Sequence, residues 1–163
     1  MYCNVCGEKL TLMFKQGEGL VPYCKSCSEF RFPRFATAVS MVVTNRTKDK
    51  ILLAKHAGSE DYILFAGYIK KGESAEKAVT REFKEETRLD TVKFKYMGSR
   101  YHEPKNVLML NFLMIAEDGE IILDENELTE VKWFTPEDAV DIIKEDSTAK
   151  TFLKNALTEI KKL

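Results

Sequence analysis

The sequence lacks any apolar run long enough to cross a membrane. Its best stretch, Val107 to Ala116, is too short for a span and holds Asn111. It lacks an excess of charge of one sign, because 25 Lys plus Arg oppose 26 Asp plus Glu, a formal net charge of −1. Nothing therefore pulls the whole chain toward a phosphate backbone or an anionic membrane, and nucleic acid is not expected as its main partner. Histidine is scarce: His56 and His102 are far apart in sequence and make no recognisable metal pair. The first residues, Met1-Tyr2-Cys3-Asn4-Val5-Cys6, have no basic region followed by an apolar stretch, so no signal peptide is expected and a cytoplasmic location is. There is no internal repeat, no low-complexity linker and no cysteine beyond residue 27.

What is present is an ordinary globular composition, with 163 residues, 44% apolar and 31% charged. A chain of this size buries roughly 70% of its unfolded surface, enough for one main domain and a small appendage. The appendage is marked by the cysteines. Cys3-x-x-Cys6 and Cys24-x-x-Cys27 are two knuckles that can bring four thiolates to the corners of a tetrahedron around structural Zn²⁺. Gly7 follows the first knuckle, where the turn needs a permissive backbone. Leu10 to Tyr23 reads as a hairpin turning near Gly17-Glu18-Gly19. So small a segment has no core of its own, and metal would supply its folding energy. Two disulfides or a redox Cys-x-x-Cys are the competing readings, set aside for a cytoplasmic chain with no strand-to-helix turn at the motif. Residues 1–35 carry five bases (Lys9, Lys15, Lys25, Arg31, Arg34) against three acids (Glu8, Glu18, Glu29), too mild an excess for a nucleic-acid stripe. A structural or dimer-forming role is expected for this ribbon.

From residue 36 the pattern alternates short strands and helices. Strands are expected over Ala38 to Thr44, Ile51 to Lys55, Ile63 to Phe65, Val92 to Met97, Val107 to Ala116, Glu120 to Leu123 and Val131 to Phe134. Gly67 to Gly72 reads as a loop. A helix from Ser74 to Thr87 has Ser74 as its cap, and another starts at Thr135-Pro136. Ala149, Phe152, Leu153, Ala156, Leu157, Ile160 and Leu163 recur at helical spacing and are core rather than site. The expected architecture is α+β, a mixed sheet flanked by helices with the ribbon at one end.

The stretch Gly67 to Leu89 carries the chemistry. At about 100° per residue, Ala75, Ala78 and Val79 mark a small apolar stripe. Glu82 and Glu86 fall on its centre and Glu85 at its edge, while Lys77, Thr80 and Lys84 lie opposite. Three carboxylates on an inward face are costly unless paired. A hard divalent cation, Mg²⁺ or Mn²⁺, would compensate them. Glu73 can reach the same region from the loop, and Arg81 could hold one of the acids. A solvated charged face is the blander reading of Glu-x-x-Glu-Glu alone.

These residues resemble the Nudix signature, G-x5-E-x7-R-E-U-x-E-E-x-G-U. Gly67, Glu73, Arg81, Glu82, Phe83, Glu85, Glu86 and Leu89 fill its positions without a gap, and Arg88 stands at the second glycine. A left-handed helix end at Arg88 would cost roughly 1 kcal/mol and leave metal binding untouched. The resemblance implies an α/β/α sandwich and a Mg²⁺-dependent hydrolase of nucleoside diphosphate derivatives. It makes Glu82, Glu85 and Glu86 metal ligands, Glu73 a support of the site and Arg81 an orienting group, with Gly67 and Tyr68 beside the nucleotide.

A four-cysteine ribbon ahead of such a domain resembles the NADH pyrophosphatase subfamily, as does Phe32-Pro33-Arg34 at the join. Asn126 to Phe134 resembles its acidic stretch ending in Trp-aromatic. By that match Glu127 completes the metal site, with Glu130 as its rival and Trp133 in the core. The subfamily's SQPWPFPxS is represented here by Ser99-Arg100-Tyr101-His102-Glu103-Pro104-Lys105-Asn106-Val107, in which only Ser99 is kept. That segment would shape the nicotinamide nucleotide pocket, so the substrate is open between NADH or NAD⁺ and ADP-ribose, a sugar nucleotide or a damaged nucleoside triphosphate. Tyr68 could stack on a base and Tyr101 or His102 could touch substrate. A homodimer is implied by the resemblance alone, and a catalytically silent, nucleic-acid-binding version of the fold is the reading from another class.

Overall fold

The long strands form where both faces can be covered. Residues 38–44 are all buried, including Ser40 and Thr44, which is how a central strand reads when helices pack on either side of its sheet. The computed structural model describes residues 1–145 and 147–163. They form two compact units, Met1–Phe35 and Ala36–Leu163.

In the first unit β1 (Thr11–Lys15), β2 (Gly19–Cys24) and β3 (Glu29–Phe30) make an antiparallel sheet in that order. The β1–β2 hairpin turns at the glycine pair, as the sequence predicts: Gly17 and Gly19 both have positive φ. Its buried apolar side chains are Cys3, Val21 and Cys24. Tyr23 and Phe30 meet edge to face with ring centres 5.0 Å apart.

The second unit is a mixed sheet between helices. Its strands are β4 (Ala36–Thr44), β5 (Ile51–His56), β6 (Phe65–Tyr68), β7 (Thr91–His102), β8 (Val107–Ala116) and β9 (Leu128–Phe134). The order is β7-β8-β4-β5-β9, and β6 pairs with β4 below β5. Only β4 and β8 are parallel. One face carries α1 (Ala75–Thr87), with Val39, Met41, Val43, Val79 and Phe83 in one cluster. The other carries α2 (Pro136–Ile142) and α3 (Thr148–Glu159), with Val42, Leu113, Phe152, Leu153 and Ala156 in a second cluster. The apolar stripe at the C-terminus is thus core, as its spacing predicts, and Trp133 packs against the first cluster.

Four local expectations are corrected. Residues 120–123 form no strand. Instead Ile122 N–H donates to Thr87 O (3.1 Å) and Asp124 N–H to Glu86 O (3.4 Å), so this loop satisfies carbonyls that the end of α1 leaves open. Gly67 lies in β6 rather than in a loop, and Ile63 makes only an isolated bridge to Ala54. Strand β7 continues to His102, past irregularities at Thr91/Lys93 and Tyr96/Gly98 that keep it paired to β8.

Candidate active site and cysteine cluster

Helix α1 is set in place from both ends. The Ser74 side chain accepts from Lys77 N–H (3.3 Å). At the other end Arg88 is left-handed (φ 63°) without being glycine, and its N–H donates to Lys84 O (2.9 Å). Thr87 helps hold that turn: its hydroxyl donates to Phe83 O (2.6 Å) and accepts from Leu89 N–H (3.2 Å). Ala78, Val79 and Phe83 bury the inner face.

Glu86 shares that burial. It is 2% exposed, and its Oε2 has no hydrogen-bond partner among the described residues. Burial, followed by the charge of Glu127 and then of Glu82, Glu85 and Asp124, pushes its carboxyl up to about 8. Glu82 is partly buried beside it, lying against Gly67. A Cβ on Gly67 would stand 2.0 Å from Glu82 Cδ, so the strand must have glycine there. Glu85 departs from the helical-wheel expectation: its side chain is 50% exposed, held outside by Arg81 and Lys70.

Arg81 gathers the remaining acids. Its Nε donates to Glu73 Oε1 (2.7 Å) and its Nη2 to Glu73 Oε2 (2.8 Å), a two-bond fork. Nη1 reaches Glu82 Oε1 (2.6 Å) and Glu85 Oε2 (2.9 Å), and Nη2 also reaches the Tyr68 carbonyl (3.0 Å). The Arg81 fork, with Lys70 N–H donating to Oε2 at 3.0 Å, draws the Glu73 carboxyl down to about 2.

Glu127 stands in the loop that the end of α1 secures, its N–H bonded to Asp124 O (3.0 Å) and its carbonyl to Ala57 N–H (3.0 Å). It supplies the largest neighbouring charge felt by Glu86. Glu130, the rival, points elsewhere: it pairs with Lys55 (3.2 Å) and faces Tyr62. Tyr68 is exposed, and the Tyr101 hydroxyl donates to Asn106 Oδ1 (2.6 Å). Sequence reasoning missed Lys70 and Asp124. Lys70 gave one weak signal, a lysine pair inside the motif, and Asp124 gave none, because its place depends on the loop's bonds to α1.

The donor set suits a hard dication. Glu86 has an unmatched buried oxygen, and four further carboxylates bear on it. Among the described residues, however, only the cysteines form a group whose ligand atoms all lie within 4.8 Å of one another.

That group has the shape of a tetrahedral thiolate site. Cys3 Sγ lies 4.0 Å from Cys27 Sγ, and Cys6 Sγ 3.4 Å from Cys24 Sγ. A tetrahedron with Zn–S bonds of about 2.3 Å has edges of about 3.8 Å, between these values. A disulfide needs about 2.05 Å, and all four cysteines are free. Gly7 (φ 77°) and Ser28 (φ 55°) follow the two knuckles in the same left-handed conformation. Arg31 Nε donates to Cys3 Sγ (3.2 Å) and, with backbone bonds, lowers that thiol to about 5. Bonding with Cys6 and Cys24, followed by burial, raises Cys27 to about 12. Bare thiols here hold one another's protons, which a bound cation would displace.

Comparison with known proteins gives the family and the fold. Residues 34–156 match the NUDIX domain family. The NAD-capped RNA hydrolase NudC of Vibrio atlanticus is 29% identical over 163 residues, covering 99% of this chain and 59% of that protein. The protein of the same name from Photobacterium profundum is 31% identical, covering 98% and 59%. The chain therefore spans about three-fifths of the length of the relatives it matches. A NUDIX hydrolase crystal structure from Nitrosomonas europaea superposes with a TM-score of 0.66 at 19% identity, covering 97% of this chain and 90% of that one.

Proposed function

Because the chain belongs to the Nudix family, we propose that residues 36–163 hydrolyse the diphosphate of a nucleoside diphosphate derivative with Mg²⁺ or Mn²⁺, and that residues 1–35 are a structural zinc ribbon. The favoured substrate is NADH, NAD⁺ or a related dinucleotide, giving NMN(H) and AMP. The observation that carries this reading is the buried, unmatched Glu86 carboxylate amid Glu82, Glu85 and Glu127.

Glu82, Glu85, Glu86 and Glu127 would hold the dication, which when bound neutralises the diphosphate and lowers the pKa of a water. The chain's own residues do the rest. Glu73 fixes Arg81, and Arg81 fixes Glu82 and Glu85. Glu86 is buried, with its carbonyl bonded to the loop through Asp124 N–H. A carboxylate of this set, Glu85 or Glu86 on the helix or Glu127 across it, takes the proton of the attacking water. Exposed Tyr68 offers a ring to the base.

The relatives' name favours a second reading in which the dinucleotide is the cap of an RNA. This reopens nucleic acid as a partner, which the chain's balanced charge set aside. A panel of NADH, NAD⁺, ADP-ribose, a sugar nucleotide, a damaged nucleoside triphosphate and NAD-capped RNA, each with Mg²⁺ or Mn²⁺ and product analysis, tests both. Dinucleotide cleavage at the diphosphate is expected. Preference for ADP-ribose or a triphosphate would overturn the substrate, and salt-sensitive RNA binding with no hydrolysis would overturn the activity. Sedimentation tests the homodimer that the family resemblance implies.

A further inference from the structure

The sheet face opposite α1 carries two adjoining cavities that the proposed chemistry does not use. Strand register explains them. Ala38 is in register with Tyr68 on β6 and with Met109 on β8, and Met109 with Arg100 on β7. Two residues along, Ser40 is in register with Ala66 and Asn111. These rows point to the same face, about 7 Å apart. Of the first row, Ala38, Tyr68 and Met109 line a cavity of 370 Å³ with Gly67 and His56 at its rim, while Arg100 lines its neighbour. The second lines one of 260 Å³ that reaches the first turn of α3 at Thr148 and Ala149. Ile63, Ala66, His102, Lys105 and Met109 line both, so the two are continuous.

The inner cavity is built for an anion. Arg100 lines it with a buried Nε that has no hydrogen-bond partner among the described residues. A buried N–H of a charged group without an acceptor is costly. Lys105 and His102 stand beside it, with the Ser40 hydroxyl and the Asn111 amide. The N-terminal turn of α3 adds the positive end of a helix dipole. No carboxylate occurs among the described lining residues of either cavity. At the outer rim, Gly67 backs onto Glu82 and the Tyr68 carbonyl is bonded to Arg81, so β6 stands between this cavity and the acid cluster.

Building on the proposed diphosphate cleavage, we infer that the Arg100 cavity binds a phosphate monoester carried on the sugar of the substrate, away from the diphosphate that is cut. Tyr68 and Arg100 end one row across β6, β4, β8 and β7, three strand spacings or about 14 Å apart, a span that a base on Tyr68, one sugar and a phosphate at Arg100 can fill. The chemistry is a fork of charge-assisted hydrogen bonds from Arg100, with Lys105 as a second cation.

Calorimetry on the full chain, without added dication, compares AMP, inorganic phosphate and adenosine bisphosphates with the second phosphate on either ribose hydroxyl. At least one bisphosphate should bind about tenfold or more tighter than AMP. Arg100→Gln should remove that gain, and the exposed Lys105→Gln should reduce it should the Arg100 variant fail to fold. Equal affinity for AMP and both bisphosphates overturns the inference, as does a gain that survives in both variants. Arg100-dependent capture of inorganic phosphate, with no gain for the bisphosphates, also overturns it and makes the cavity a free-anion site. In turnover, NADPH should exceed NADH in kcat/KM, and the ratio should fall in the Arg100 variant. Absence of any hydrolysis with the bisphosphate gain intact would sink the proposed function and spare this inference. Hydrolysis without the gain would do the reverse.

Discussion

The two units of the chain solve the same problem by different means. The Ala36–Leu163 unit buries apolar side chains on both faces of its sheet, in two clusters. The Met1–Phe35 unit buries Val21 and two of its own cysteines and leaves Leu12, Phe14 and Leu20 exposed. A sheet of three short strands cannot offset the entropy of ordering its residues with so little burial. One unit is therefore held by area, and the proposed zinc would hold the other through its four cysteines. In the larger unit the unmatched charge marks a place for chemistry. In the smaller one the clustered cysteines mark where the proposed zinc would supply the fold.

The largest expected effect separates the units outright. Chelating zinc should unfold residues 1–35 and leave the larger unit's melting transition in place, because structural zinc contributes apparent free energies of about 10–16 kcal/mol in comparable small domains. Amide exchange in the two units reads this directly, and equal protection with and without chelator would refute the zinc role.

Next comes Glu86→Gln, which should lower kcat about a hundredfold or more. It should also change the pH dependence of stability. Glu86 has its carboxyl raised from 4.5 to about 8 in the metal-free fold. Its contribution is fully present below pH 4.5 and is lost as pH rises through 8. Metal-free wild type should therefore weaken between those limits, and the Gln variant should show a flatter profile in denaturant titrations. An unchanged profile would mean that Glu86 is not held neutral by its surroundings.

Gly67→Ala should be smaller but still severe, about tenfold or more in kcat/KM, since its methyl group must displace the Glu82 carboxylate. Full activity would show that Glu82 has another place to go. Arg88→Gly is the mildest. Relief of the left-handed backbone should stabilise the larger unit by about 1 kcal/mol, with turnover preserved. Thermal melts check it, and a lower melting temperature would mean that the Thr87 bonds already remove the strain.

What the sequence revealed about these two regions followed the range of the interactions involved. The knuckles, the Ser74 cap, the left-handed Arg88 and strand β8 are local signals, and each lies where its residues put it. The segment 120–123 looks strand-like by composition, yet its backbone bonds go to the end of α1, which no local pattern encodes. Gly67 looks like a turn glycine until the Glu82 side chain is placed against it. Glu85 sits at the border of the apolar stripe on a wheel, and only the positions of Arg81 and Lys70 decide that it faces water. Glu127 came from resemblance rather than periodicity, and its proximity to Glu86 rests on the loop's attachment to α1. The basic cavity at Arg100 was hidden for the same reason, since its row of side chains comes from strands distant in sequence.

Arg81 has a consequence for how the centre waits between turnovers. With a forked grip on Glu73 and single bonds to Glu82 and Glu85, it acts as a resident counter-ion that keeps mutually repelling carboxylates from splaying apart. An arriving dication would contend with that guanidinium for oxygens of Glu82 and Glu85. Among the described residues these carboxylates do not bring their oxygens to one point, so loading a dication should draw them inward against the hold of Arg81.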